Sequence, residues 1–168
     1  MNKRILSLIV VLSPLILQAQ DFALKQLENS PRHHEWVRVE YSDRIIHSFV
    51  VYPEIPEKAT VLIVIHENRG LTNWVRSFAD QLASEGYIAI APDLLSGFND
   101  SIKKTSDFVS SDDARNAIYE LDENQVKNDL NAIQAYAQKL KAGNGRTAVV
   151  GFCWGGTQSF RMATYNSG

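Results

Sequence analysis

Residues 60–65, Thr-Val-Leu-Ile-Val-Ile, form an apolar run without alternation. A strand with one wet face alternates apolar and polar residues, so a continuous run of this length reads as a strand buried on both faces. Such a strand needs a layer above and a layer below its sheet. Two further runs fit the same sheet: residues 87–91, closed by Pro92-Asp93, and residues 147–152. Between them lie helical stripes. Val75, Phe78, Ala79, Leu82 and Ala83 share one face, with Thr72 as a candidate N-cap and Gly86 as the stop. Val126, Leu130, Ile133, Ala137 and Leu140 form a second stripe, opened by the capping-box pattern Asp122-Glu123-Asn124-Gln125 and ended by Gly143-Asn144-Gly145. Residues 155–165 suit a last helix. Upstream, residues 36–41 put Val37, Val39 and Tyr41 on one face and Arg38 and Glu40 on the other. Residues 45–52 follow after Ser42-Asp43-Arg44, which predicts an antiparallel hairpin. His47, among apolar neighbours there, reads as an ordinary strand residue. Residues 94–122 carry acidic clusters and short apolar pieces but no sustained period. The pattern predicts an α/β fold: a three-layer sandwich around a mostly parallel sheet, with an N-terminal antiparallel hairpin and no internal repeat.

The first 35 residues stand apart from this pattern. Lys3 and Arg4 precede an apolar run over residues 5–17, and Ala19 ends a small-residue cleavage pattern. This is the layout of a secretory signal peptide over residues 1–19, and it predicts a secreted or periplasmic product without stable membrane insertion after cleavage; the alternative is an uncleaved anchor, although the run is short for a span and contains Pro14. Residues 20–35 read as a polar N-terminal arm, with His33 and His34 solvent-exposed beside Pro31. Residues 36–168 form the single domain. With 17 Lys and Arg against 19 Asp and Glu, and no basic run in the body, nothing points to nucleic acid. Export usually accompanies disulfides, yet the chain has one cysteine, which cannot pair within it.

That cysteine stands in Gly151-Phe152-Cys153-Trp154-Gly155, the G-x-S-x-G elbow pattern with cysteine in the serine position. In an elbow the nucleophile occupies a strained turn between a strand and a helix, and its neighbours two residues away must be small. The backbone N–H of Trp154 then opens a helix N-terminus, where negative charge is favoured, which suits a thiolate. The alternative is a buried cysteine in a glycine-rich turn. A second cluster, His66-Glu67-Asn68-Arg69-Gly70, ends the first central strand. Ligand sites in open α/β sheets lie at the carboxyl ends of strands, and both clusters are at such ends. A carboxylate at Glu67 beside a thiol can take its proton; the structural alternative is an ion pair with Arg69 or Arg76. No second histidine follows His66 at helical spacing, so this is not a zinc motif.

Three motifs in order, VIHENRGL, APDLLSG and GFCWGG, make residues 36–168 resemble the dienelactone hydrolase family of α/β-hydrolases. The resemblance implies an ester- or lactone-cleaving enzyme with a Cys-His-Asp triad and no metal or cofactor. It implies Cys153 as nucleophile, Glu67 as the carboxylate that activates the thiol, and the amides of Asn68 and Trp154 as the oxyanion hole. Family members acting on dienelactone hold a substrate carboxylate with an arginine before the elbow helix. Arg115 is the candidate for that role, and Arg69 is an alternative anion contact or a solvated loop residue.

In α/β-hydrolases the acid and histidine of the triad follow the nucleophile. Residues 154–168 contain no Asp, Glu or His, and all four histidines precede Cys153. His66 alone is near the expected site, and on the oxyanion side. The sequence therefore predicts an N-terminal part of a longer hydrolase, ending after the elbow helix; the alternative is a naturally short variant, which would leave the elbow strand as an open, apolar sheet edge. Two other readings of the same residues are a non-catalytic ligand-binding protein on this fold and a thiol redox protein, against which the lack of a resolving cysteine argues. The partner predicted is a small-molecule ester or lactone; the sequence is silent on oligomeric state.

Overall fold

The computed structural model describes residues 13–165, with side chains from Asp21 onward. Most of the expected leader, residues 1–12, lies outside the described residues. Helix α1 (Ser13–Glu28) is followed by strands β1 (His33–Tyr41), β2 (Arg44–Tyr52) and β3 (Ala59–Ile65). Helix α2 (Asn73–Ser84), strand β4 (Ile88–Pro92), a single 3-10 turn (Thr105–Asp107) and helix α3 (Ser111–Glu120) come next. Helix α4 (Glu123–Gln138), strand β5 (Gly143–Gly151) and helix α5 (Trp154–Tyr165) complete the order.

The sheet order is β1-β2-β4-β3-β5. β3 pairs in parallel with β4 and β5, while β2 is antiparallel to both β1 and β4. Four of the five strands thus run one way and only β2 runs against them. The continuous apolar run explains the layering. Ile63 and Ile65 point into one core with Ile88, Ile90, Val126, Leu130, Ile133 and Met162, under α4 and α5. Val64 points the other way, into a core with Val51, Ala89, Val75 and Ala79 under α2.

The hairpin closes through Ser42 and Asp43, with Tyr41 opposite Arg44 and Ser42 at a φ of 48°, the kind of two-residue turn whose twist suits paired strands. It is anchored to α4 by a buried node. Arg44 Nε donates to Asp129 at 2.7 Å, and the Tyr41 hydroxyl donates to the same carboxylate. Burial, with the Asp129 charge beside it, pushes the Tyr41 phenol up to about 12.

Several boundaries differ from the sequence expectation. The segment 20–35 is helical as far as Glu28 and joins the sheet at His33. His34 is not solvent-exposed: its Nε2 lies 2.8 Å from Asp80. Asp80 also accepts from Ser30 Oγ at 2.6 Å and from Arg32 Nε at 2.8 Å. Burial pushes the Asp80 carboxyl up, but these hydrogen bonds and the Arg32 charge outweigh it and hold it below its usual range. α1 lies along α2, with Ser77 donating to Gln26 at 2.7 Å, so the apolar face of α2 is flanked by a second, polar contact surface. Thr72 takes the N-cap position but makes no cap bond, and its hydroxyl is buried without a partner. Asp122 does cap α4, accepting from Gln125 N–H at 2.9 Å. That helix ends at Gln138, and β5 begins at Gly143 rather than Thr147. Gly143-Asn144-Gly145 resembles a turn in isolation, but Gly143 pairs with Ala59 across an irregularity in the ladder. Within the uncharacterised stretch, Ser110 caps α3 by accepting from Asp113 N–H at 3.1 Å.

Candidate active site

β3 and β5 are neighbours, and Ile65 pairs with Gly151. The loop after Ile65 and the turn after Gly151 therefore leave the sheet from the same rung, on adjacent strands. Cys153 stands exposed in that turn, with a φ of 52°. Positive φ is costly for a residue with a side chain and persists only where the surroundings enforce it.

The enforcing contacts are the two glycines. A Cβ on Gly151 would lie 2.6 Å from Ser159 Oγ and 2.5 Å from the Gly155 carbonyl carbon. A Cβ on Gly155 would lie 2.9 Å from the Ile65 carbonyl carbon and closer still to the carbonyl oxygens of Ile65 and His66. The first turn of α5 thus rests directly on the end of β3. Phe152, the residue before the cysteine, is held by ring contacts with Trp74 and Phe78, at centroid distances of 5.2 and 4.9 Å.

Opposite the elbow, residues 67–70 form a turn closed by Gly70 N–H donating to the Glu67 carbonyl at 3.3 Å. Glu67, Asn68 and Arg69 are all half-buried. Arg69 donates to Ser111 Oγ at 3.1 Å, and Asn68 Nδ2 donates to the Tyr119 hydroxyl at 3.2 Å. Arg76 donates to Asn73 and covers the Trp36 and Phe49 rings. Among the described residues, the ion pair of Glu67 with Arg69 or Arg76, weighed from sequence, is not formed.

Ser111 and Tyr119 lie two helical turns apart on α3, with Arg115 midway, so these three residues share one face. Two of them grip the Asn68-Arg69 turn, which puts exposed Arg115 on the face of α3 turned to that loop. Tyr119 and Ser111 carried no signal in the sequence. Their helix was not periodic enough to find, and its role in holding the loop depends on contacts across more than 40 positions.

The loop is also fixed from beneath. Asp93 is buried and accepts from Thr105 N–H at 2.6 Å, Thr105 Oγ1 at 2.7 Å and Leu95 N–H at 3.1 Å. Thr105 Oγ1 in turn accepts from Leu71 N–H at 2.9 Å. Thr105 also fills the space beside Gly70, which has a φ of 75° and no room for a Cβ. His66 is wholly buried, its Nε2 accepting from Leu94 N–H at 3.2 Å and its Nδ1 2.8 Å from the Glu67 carbonyl. Because a backbone N–H can only donate, Nε2 is the acceptor and Nδ1 carries the proton. Burial pulls the His66 imidazole below its usual range, against the opposing pull of Asp93.

Residues 46–168 match the sequence profile of the dienelactone hydrolase family. The chain is 30% identical over 108 residues to carboxymethylenebutenolidase 1 of Cupriavidus pinatubonensis, covering 64% of this chain and 46% of that protein. Its fold is similar to that of a dienelactone hydrolase-like promiscuous phosphotriesterase from metagenomic libraries, with a TM-score of 0.65 at 19% identity, over 81% of this chain and 55% of the other. It is also similar to an esterase of Pyrobaculum calidifontis, with a TM-score of 0.61 at 17% identity, over 91% of this chain and 47% of the other. The chain spans 38–57% of the length of curated relatives that it matches.

Proposed function

The chain belongs to the dienelactone hydrolase family, and from that premise we propose that it carries the nucleophile and oxyanion half of a hydrolase for small carboxylic esters or lactones. The observation that carries this reading is the backbone of Cys153: a positive φ at an exposed turn between β5 and α5, enforced by two glycines that have no room for a side chain. A merely structural cysteine has no use for that strain.

In the proposed reaction, Glu67 takes the thiol proton and the Cys153 thiolate attacks the substrate carbonyl. The C–S bond forms as the carbonyl pair moves to oxygen, where the N–H groups of Asn68 and Trp154 receive the charge. Collapse breaks the ester C–O bond, the leaving oxygen takes the proton held by Glu67 and departs as the alcohol, and a thioester remains for water to cleave. Arg115, and Arg69 beside it, are the proposed contacts for an anionic group on the substrate. Water needs a base at that last step. Of the four histidines, His34 is committed to Asp80 and His66 to two backbone groups, while His33 and His47 lie on β1 and β2, across the sheet from β5. We therefore place the triad histidine and its acid outside the described residues, a reading supported by the longer relatives. The export inferred from residues 1–19 would put this chemistry outside the cytoplasm.

The test is covalent labelling. After exposure to p-nitrophenyl acetate, mass spectrometry is expected to find one acetyl group, on Cys153, and none on Cys153→Ala. Undiminished ester hydrolysis by Cys153→Ala would overturn the proposal.

A further inference from the structure

His66 is a wholly buried titratable side chain at the site, and the proposed chemistry does not use it. It carries the proton on Nδ1 and directs it at the carbonyl of the next residue, Glu67, at 2.8 Å. The same carbonyl also accepts from Gly70 N–H at 3.3 Å. Two donors on one oxygen leave the plane of that peptide little freedom.

The Glu67 carbonyl and the Asn68 N–H belong to the same peptide unit. In a trans peptide they point in opposite directions. Fixing the carbonyl toward His66 therefore fixes the Asn68 N–H away from it. Among the described residues that N–H donates to no other group, so it is free for a ligand.

His66 also bears on the second proposed donor. Its ring stacks on the Trp154 indole at 5.6 Å between centroids, with 12° between the planes, and its carbonyl abuts Gly155. The other ring nitrogen, Nε2, is held by Leu94 N–H, which keeps the ring from turning and fixes the tautomer.

We propose that His66 is a positioning residue for the oxyanion hole: its Nδ1–H pins the Glu67 carbonyl, so that the Asn68 N–H is presented to the oxyanion formed at Cys153. This rests on the reading of Cys153 as the acylated residue. It gives the histidine a task quite unlike that of a triad base. It neither gains nor loses a proton during the reaction, and a neutral ring with a protonated Nδ1 is the form that works.

The experiment compares two reactions of the same thiol. Acylation by p-nitrophenyl acetate passes through an oxyanion; alkylation by iodoacetamide, a displacement at a saturated carbon, does not. In His66→Phe, which keeps a flat ring but no hydrogen bonds, acylation should fall by up to about a hundredfold to a thousandfold, the scale of losing one oxyanion donor. Alkylation should stay within about twofold, since the change touches neither thiol nor oxyanion-independent chemistry. His66→Gln, whose amide can donate to Glu67 and accept from Leu94, should restore most of the acylation rate and guards against a Phe variant that fails to fold. Asn68→Pro removes the N–H at a turn position that tolerates proline; it should slow acylation similarly, and His66→Phe should add little to it. Parallel loss of both reactions, unchanged acylation in folded His66→Phe, or additive losses with Asn68→Pro would each overturn the proposal. A wild-type protein that alkylates but never acylates would instead bring down the ester-hydrolase reading on which it stands.

Discussion

Replacing Gly155 by alanine tests the mechanical basis of the site. The new Cβ would stand 2.9 Å from the Ile65 carbonyl carbon, where ordinary contact begins at 3.4 Å. Helix α5 must retreat from the end of β3 by at least 0.5 Å, and by more to clear the two carbonyl oxygens. These neighbours are backbone atoms of Ile65 and His66, so no side chain can swing aside. Overpacking of this kind costs about 1–3 kcal/mol, less up to about 1 kcal/mol regained because alanine suits a helix better than glycine. The net expectation is a destabilisation of about 1–2 kcal/mol. Function should suffer more than stability. Trp154 N–H and Cys153 ride on the displaced turn, and a misplacement near 1 Å costs roughly a hundredfold in rate. Gly156→Ala is the control. Its Cβ would approach nothing closer than 3.4 Å, so it should leave acylation intact and stabilise the protein by about 0.5–1 kcal/mol. Urea unfolding followed by tryptophan fluorescence gives the stabilities, and the p-nitrophenol burst gives the acylation rates. A Gly155→Ala protein as stable and as reactive as Gly156→Ala would refute the argument that close approach of α5 to β3 holds the nucleophile.

Two other substitutions follow from the geometry. Glu67→Gln is expected to shift the pH profile of Cys153 alkylation toward higher pH, measured with iodoacetamide across pH 5–10; an unchanged profile would reduce Glu67 to a structural role. Asp80→Asn is expected to cost about 1–3 kcal/mol in urea unfolding, by leaving the Arg32 guanidinium without its charged partner. The folded Asp80 carboxyl is held below its unfolded value, so its contribution is present above the unfolded pKa and is lost as pH falls through the folded one. The variant should therefore lose less stability on acidification than the wild type.

What could be read from the sequence depended on how local each signal was. Residues 61–65 announce a doubly buried strand because every residue is apolar, and Ile63, Val64 and Ile65 are indeed fully buried across two cores. The elbow is legible because its glycines are needed within five residues. Asp80 was not legible as a contact. It belongs to the polar side of a stripe that reads as solvated, and only the link between α1 and β1 and the start of β1, some 50 positions upstream, give it partners. The start of β5 was missed for the opposite reason: Gly143-Asn144-Gly145 has strong turn chemistry, and pairing with Ala59 overrides it. At the site, the chemical residues were visible as motifs, whereas the groups that hold them, Thr105, Ser111 and Tyr119, lie in a stretch without period.

The register between β3 and β5 links these observations. Ile65 and Gly151 are partners on adjacent parallel strands, about 4.8 Å apart. Asn68 is three residues beyond Ile65, and Trp154 is three residues beyond Gly151. The two proposed oxyanion donors therefore leave one rung by paths of equal length, one through a tight turn and one through an elbow. Strand pairing alone starts both from the same place. The remaining freedom is orientation, and it is taken up locally: by two glycines at the elbow, and by His66 and the Gly70 turn at the loop. A slip of one residue in β5 would break this equality and also turn Val149 and Val150 to the wrong faces, since the side-chain period of a strand is two. The apolar packing on both faces of the sheet thus holds the register that the site depends on. The site needs few residues of its own because the core already sets the distance between its two halves.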